Sequence, residues 1–253
     1  MSELAGVIET LYKTGVVKAI GEDVLASDFV KQKTALFDAY REKILEYNEK
    51  VNITRIVEKD DFERRHYIDS LMCCTALEFR KAGSIIDIGS GGGFPGVPLA
   101  IMFPEKEFVL MDSSGKRIKI VDEITSLIGI SNVRTIHGRA EELGRKEEYR
   151  EQFDLCVSRA VASMATLSEY CIPFVKIGGA FIAYKGPGSD EEISASVKAI
   201  GTLGGKISRI EEAGDTIFYA PGNEGHRLVC ISKESPTPPK YPRGGGKPSK
   251  KPL

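Results

Sequence analysis

Ser84-Ile85-Ile86-Asp87-Ile88-Gly89-Ser90-Gly91-Gly92-Gly93-Phe94-Pro95-Gly96 is the stretch whose reading decides the fold. A short apolar run passes straight into a loop carrying five glycines. The run has the length and composition of a buried strand at 84–88. Glycines permit positive φ and let a ligand come close to the backbone. In an open α/β sheet such a loop lies at the carboxyl end of the first strand, where ligands bind.

Downstream, short apolar runs alternate with helical stretches. Strands are expected at 108–111, 133–137, 153–157, 179–184 and 229–232, with one more between 206 and 219 whose borders are blurred by glycines and charges. Helices are expected from about Pro98, over 114–128 and from about Ser163. This alternation implies an α/β fold with a doubly wound, mostly parallel sheet. Upstream, residues 1–82 read as a helical region, with apolar residues at helical spacing in 30–45 and again in 69–79, and Gly83 as the capping glycine. The core is expected over 83–234. Residues 235–253 read as an extended, Pro-rich basic arm with too little apolar content to fold alone, the alternative being a structural strap packed on the core. From Lys233 onward the chain carries six basic residues against one acid, a local charge of +5, and half of its twelve prolines.

Two readings of the glycine loop compete. Gly91, Gly93 and Gly96 match G-x-G-x-x-G, and Asp112 lies downstream at a distance suited to a ribose, as in an NAD-dependent dehydrogenase. Alternatively, Asp87, Gly89 and Gly91 open an S-adenosylmethionine loop. That ligand has an ammonium that a carboxylate suits and no pyrophosphate. Pro95 and Pro98 remove amides a phosphate would want. Asp112 after the second strand and Ala140-Glu141 after the third add acids for a ribose and an adenine edge. The residues favour the methyltransferase reading.

The absences narrow the chemistry. No Asn/Asp-Pro-Pro-aromatic loop follows the fourth strand, where the chain reads Val157-Ser158-Arg159-Ala160, and no Pro-Cys nucleophile is present. Cys156 and Cys171 read as core residues. What remains is an acceptor with a free lone pair and no proton to lose, such as guanine N7, for which positioning matters more than a general base. Arg159, just past the fourth strand, is the candidate catalytic residue. Lys185 after the fifth strand and Arg243 in the tail are candidate RNA contacts, and Arg55, Arg64, Arg65 and His66 in the N-terminal part could form a phosphate-gripping edge, although on these residues alone a solvated helix face with a turn is the favoured reading. No metal site is expected, for want of ligand spacing. The odd, irregularly spaced cysteines suggest a reducing compartment. With no apolar run long enough for a membrane span and no signal-like N-terminus, a cytoplasmic, monomeric protein without an obligate protein partner is expected.

Taken together, Tyr47-Asn48, Asn52-Ile53-Thr54, His66-Tyr67-Ile68-Asp69-Ser70-Leu71, the glycine loop through Phe94-Pro95-Gly96, Asp112-Ser113, Lys116-Arg117, Gly138-Arg139-Ala140-Glu141-Glu142, Ser158-Arg159-Ala160, Tyr184-Lys185-Gly186 and Tyr241-Pro242-Arg243 closely resemble the bacterial RsmG family, also called glucose-inhibited division protein B. The resemblance runs from about residue 35 to the C-terminus. It implies a class I, Rossmann-like S-adenosylmethionine-dependent methyltransferase with an N-terminal helical extension. It implies methylation of guanine N7 in the 530 loop of 16S rRNA, with free rRNA or the small ribosomal subunit as partner. It further implies low-level streptomycin resistance when the enzyme is lost. It places Gly89, Phe94, Ala140, Glu141 and Arg159 on cofactor-binding positions; Asp87, Gly91 and Asp112 come from the loop and fold logic. A dehydrogenase of similar fold, or a methyltransferase acting on another RNA or on protein, is the alternative.

Overall fold

A computed structural model of the chain describes residues 2–19, 24–160, 162–213 and 217–253. The N-terminal part is helical, with α1 over Glu3–Lys13 and the long α2 over Ala26–Asn48. A short α3, Lys59–Phe62, runs into a π-helical turn at Glu63–Ile68. Then come α4 at Asp69–Leu71, a 3₁₀ turn at Met72–Thr75 and α5 at Leu77–Lys81. The single helix expected over 69–79 is therefore broken. Cysteines and a β-branched threonine are poor helix formers, and Ala76 leaves the helical region altogether.

From there strands and helices alternate: β1 Ser84–Ile88, α6 Gly96–Met102, β2 Glu107–Asp112, α7 Gly115–Leu127, β3 Val133–His137, α8 Ala140–Leu143, β4 Phe153–Ser158, α9 Met164–Cys171, β5 Val175–Lys185, α10 Asp190–Thr202, β6 Gly205–Glu212, β7 Arg227–Lys233 and, in the tail, α11 Lys247–Lys250. Among the described residues the strands form one seven-stranded sheet in the order β3-β2-β1-β4-β5-β7-β6. The first five strands are parallel, and β7 inserts antiparallel between β5 and β6. Parallel strands need cover on both faces, and alternate residues of β1 enter different cores. Ile85 joins the N-terminal helices, α6 and α7, whereas Ile86 joins α9, α10 and the tail residue Tyr241. The N-terminal helices thus share a core with the sheet. Cys156 and Cys171 lie in the second core, and all five cysteines are buried and unbridged.

Two expectations need correction. Gly83 does not cap α5. Asp154 Oδ2 accepts its amide at 3.0 Å and the Ser84 amide at 2.9 Å, so Gly83 leads directly into β1. Burial alone would raise the pKa of Asp154, but these donors and Lys176 hold it down at about 2. The tail, in turn, is no loose arm. Arg150 donates to the carbonyls of Thr237 at 2.6 Å and Tyr241 at 2.8 Å, and Arg243 closes on the fully buried carboxylate of Glu169 at 2.6 Å. Anchoring by these two arginines, together with burial of Tyr241 and Pro248, replaces the apolar content the tail lacks.

Candidate functional site

The turn after β1 is self-contained. Gly89 and Ser90 donate to the Met111 carbonyl, Gly91 to Asp112 Oδ2, Gly93 and Phe94 to the Ser90 carbonyl, Gly96 to Asp87 Oδ2 and Val97 to the Gly93 carbonyl. Gly89 has a φ of +76°, and a Cβ there would stand 3.1 Å from the Cβ of Ala160. At Gly96 a Cβ would come within 2.9 Å of Asp87 Oδ2, so the Asp87 staple needs a glycine opposite it. With these amides used internally, the loop has few donors left for a pyrophosphate, which a dinucleotide site requires. The structure therefore opposes the dehydrogenase reading. The N-terminal helices hold the turn from the other side, since Tyr40 on α2 donates to the Gly92 carbonyl at 2.9 Å.

A cavity of about 270 Å³ opens across the strand ends. It is lined by Gly89 after β1, Asp112 after β2, Ala140 and Glu141 after β3, and Ala160 after β4. Its size is near the lower end for small-molecule sites. Asp112 and Glu141 are buried, and Asp112 also fixes its own turn by accepting from Gly91 at 2.8 Å and Ser114 at 2.7 Å. Asp87 is fully buried, and burial pushes its carboxyl up to about 7 against the pull of the Gly96 amide. Its Oδ1 and the hydroxyl of Ser90 have no hydrogen-bond partner among the described residues. A pocket with acids after two successive strands, beside a loop with orphaned buried acceptor and hydroxyl atoms, suits a nucleoside carrying an ammonium. S-adenosylmethionine has that shape and charge.

On the far side of Ala160 and Ala162, which line both spaces, lies a larger cavity of about 610 Å³. Arg159 projects here. Its guanidinium pairs with Asp69 at 2.7 Å, donates to the Arg65 carbonyl at 2.9 Å and lies 5.4 Å from the centre of the Phe94 ring. Asp69 is 3 % exposed and also accepts from His226 Nδ1 at 2.7 Å. Burial raises its pKa, yet His226 and Arg159 outweigh burial and keep the carboxyl below its ordinary value. The π-helical turn brings His66 and Asp69 to the same guanidinium. Asp69 and His226 escaped the sequence reading. Asp69 stood inside a quoted motif, but His226 is 157 residues away and carries no local signal.

The other expected site residues divide. Phe94 lies outside the smaller cavity, stacked on His66 at 4.3 Å and packed among Tyr40, Phe62 and Tyr67. Gly91 serves the loop through Asp112. His66 is a poor phosphate grip. Arg159 approaches its Nδ1 at 3.2 Å, which leaves Nε2 to donate to Thr54 Oγ1 at 2.8 Å. Burial, then the Arg159 charge, depresses its pKa to about 3. Arg64 is bound bidentately by Glu3, Lys185 pairs with Glu192 in the larger cavity, and Arg243 is committed to Glu169. Only Arg55 and Arg65 of this set are exposed. Among the described residues no cluster of His, Cys, Asp and Glu could hold a metal ion, and no helix is long and apolar enough to cross a membrane.

Comparison with known proteins gives a consistent result. The family model described as rRNA small subunit methyltransferase G matches residues 33–217. The "Ribosomal RNA small subunit methyltransferase G" of Clostridium novyi is 47% identical over 226 residues, covering 89% of this chain and 91% of that protein. The protein of the same name from Moorella thermoacetica is 43% identical over 222 residues, covering 88% and 91%. Among solved structures, the O-methyltransferase from Bacillus cereus in complex with SAH superposes with a TM-score of 0.54 at 15% identity, covering 78% of this chain and 91% of that one. NSun6 from Pyrococcus horikoshii with SFG gives 0.52 at 14% identity, covering 72% and 57%. These likenesses show the fold, that of class I methyltransferases.

Proposed function

The chain belongs to the rRNA small subunit methyltransferase G family, and from that premise we propose that it methylates N7 of a guanine in the 530 loop of 16S rRNA, with S-adenosylmethionine as methyl donor. The observation that carries the reading is the junction of two cavities at Ala160 and Ala162, one suited to a nucleoside cofactor and the other lined by a fixed network of charged side chains. S-adenosylmethionine, when bound, supplies an electrophilic methyl on a sulfonium.

Guanine N7 has a lone pair and no proton. The protein therefore has to align and desolvate it, and no base need remove a proton first. Gly89, Asp112, Ala140 and Glu141 would hold the nucleoside part of the cofactor, and Asp87 would answer its ammonium directly or through water. Arg159, held by Asp69 and stacked near Phe94, would position the target nucleotide beside Ala160 and Ala162. Such preorganised groups cost no rearrangement as charge moves from sulfur to the base. Arg55 and Arg65, exposed on the same N-terminal segment, are the phosphate contacts this reading retains.

Thermal unfolding in the presence of S-adenosylhomocysteine or NAD separates the cofactor classes: the first should raise the midpoint and the second should not. Incubation with methyl-labelled cofactor and small ribosomal subunits should then place the label in nuclease-sensitive material. Label retained after nuclease and lost to protease would overturn the RNA reading.

A further inference from the structure

The C-terminal strap does more than cover a core. Beyond Arg243 it turns back toward the sheet, and Gly246 and Ser249 line the smaller cavity together with Tyr170 of α9. Two contacts to α9 set this course. Glu169 takes both the backbone amide of Arg243 at 2.7 Å and its guanidinium, and Thr166 donates to the Pro248 carbonyl at 3.0 Å. Glu169 and Thr166 are three residues apart on α9, so they share a helix face. The same helix presents Leu167 and Tyr170 to the cavity.

We propose that residues 245–253 form the outer wall of the cofactor pocket, against the nucleoside end of the ligand, so that cofactor binding and docking of the strap are coupled. The inference rests on reading that pocket as the S-adenosylmethionine site. Strap and strand ends face each other across one space: Asp112, Ala140 and Glu141 come from the ends of β2 and β3, and Gly246 and Ser249 from the strap. In an α/β sheet the crevice outside the strand ends is where a nucleoside sits, and here the strap supplies the side the sheet cannot.

The strap's own hold is modest past Arg243. Pro248 is the buried residue, while Lys247, Ser249, Lys250, Lys251, Pro252 and Leu253 are exposed. A segment fastened by few contacts gains proportionally when a ligand fills the space beneath it. By linkage the ligand must then bind less tightly when the segment is gone. The earlier part of the tail differs, because Thr237, Tyr241 and the Arg243–Glu169 pair are packed independently of the cavity.

The test compares the full chain with a version ending at Gly244, which keeps Arg243 on Glu169. Calorimetric titration with S-adenosylhomocysteine should give a dissociation constant raised about tenfold in the shortened protein, within the usual range of coupling between sites. An unchanged constant would overturn the proposal. Limited trypsinolysis of the intact chain covers the case in which the shortened protein does not fold. Saturating S-adenosylhomocysteine should slow cleavage after Lys250, and equal rates with and without it would also overturn the proposal. Failure of the full chain to bind S-adenosylhomocysteine at all is a different result, and it would sink the methyltransferase reading itself.

Discussion

The two cavities that meet at Ala160 and Ala162 are built on different principles. The smaller one is made of backbone turns and strand ends, each set by a short run of sequence: Gly89 after β1, Asp112 after β2, Ala140-Glu141 after β3. The larger one is made of side chains that hold one another, Asp69 between Arg159 and His226, at sequence separations of 90 and 157 residues. The first kind of site depends chiefly on backbone geometry that the fold itself sets. The second can lose one group and leave the cofactor side intact. Substitutions on the two sides should therefore separate binding of the methyl donor from transfer of the methyl.

The largest effect is expected at Gly89. A valine there must adopt a left-handed backbone conformation, costly for a β-branched residue, with its Cβ 3.1 Å from Ala160. Gly89→Val should weaken S-adenosylhomocysteine binding on the order of a hundredfold or more, about 2.7 kcal/mol, in a protein that still folds by circular dichroism. Unchanged affinity would show that the loop is not the cofactor site.

Arg159→Ala should do the reverse. Turnover on small subunits should fall on the order of a hundredfold, as expected for loss of a preorganised charge at the reacting centre, while S-adenosylhomocysteine affinity changes little. Stability should also drop by about 3 kcal/mol, because Asp69 is left buried with half its partners. A parallel loss of cofactor affinity would erase the distinction between the two cavities.

These cases also show what was legible in the sequence. The strand-loop-helix order and the cofactor side could be read because each element declares itself within a dozen residues, by apolar runs, glycines and an acid at a strand end. On the substrate side Arg159 and Lys185 could be read, because each stands at or just past the end of a strand, but the groups that fix Arg159 could not. Nothing near His226 announces that its ring will face Asp69, and Asp69 itself sits past a π-helical turn that no periodicity signals. The tail was misread for a related reason. Its charge and prolines describe an unfolded segment when taken alone, but its partners, Arg150 and Glu169, lie in the core's own helices and loops. Arg243, expected to meet phosphate, is engaged by the buried carboxylate of Glu169.

A smaller effect, again confined to the cofactor side, concerns pH. Burial pushes the Asp87 carboxyl from 3.8 up to about 7 in the folded chain. Between those values the folded state binds a proton that the unfolded state has released, so stability falls as pH rises through this window. Asp87→Asn, neutral throughout, should flatten that slope in urea titrations run at successive pH values. An unaltered slope would mean that Asp87 is ionised in the folded protein at low pH.

The smallest effect on activity is expected for the buried thiols. Cys156 and Cys171 lie together in the second core, away from both cavities. The double substitution Cys156→Ala, Cys171→Ala should cost stability, on the order of 2 kcal/mol for the lost packing, and leave turnover within about twofold at a temperature where the protein is folded. Abolished turnover with intact folding and cofactor affinity would reveal a thiol step.

The claim on which both cavities converge is the identity of the acceptor atom. Small subunits from a strain lacking the enzyme, incubated with the protein and methyl-labelled S-adenosylmethionine, can be digested to nucleosides and the labelled position mapped along 16S rRNA. The account requires the label as 7-methylguanosine at a single guanine of the 530 loop. Label on an exocyclic amine, on a ribose, or on a base elsewhere in the subunit would contradict it.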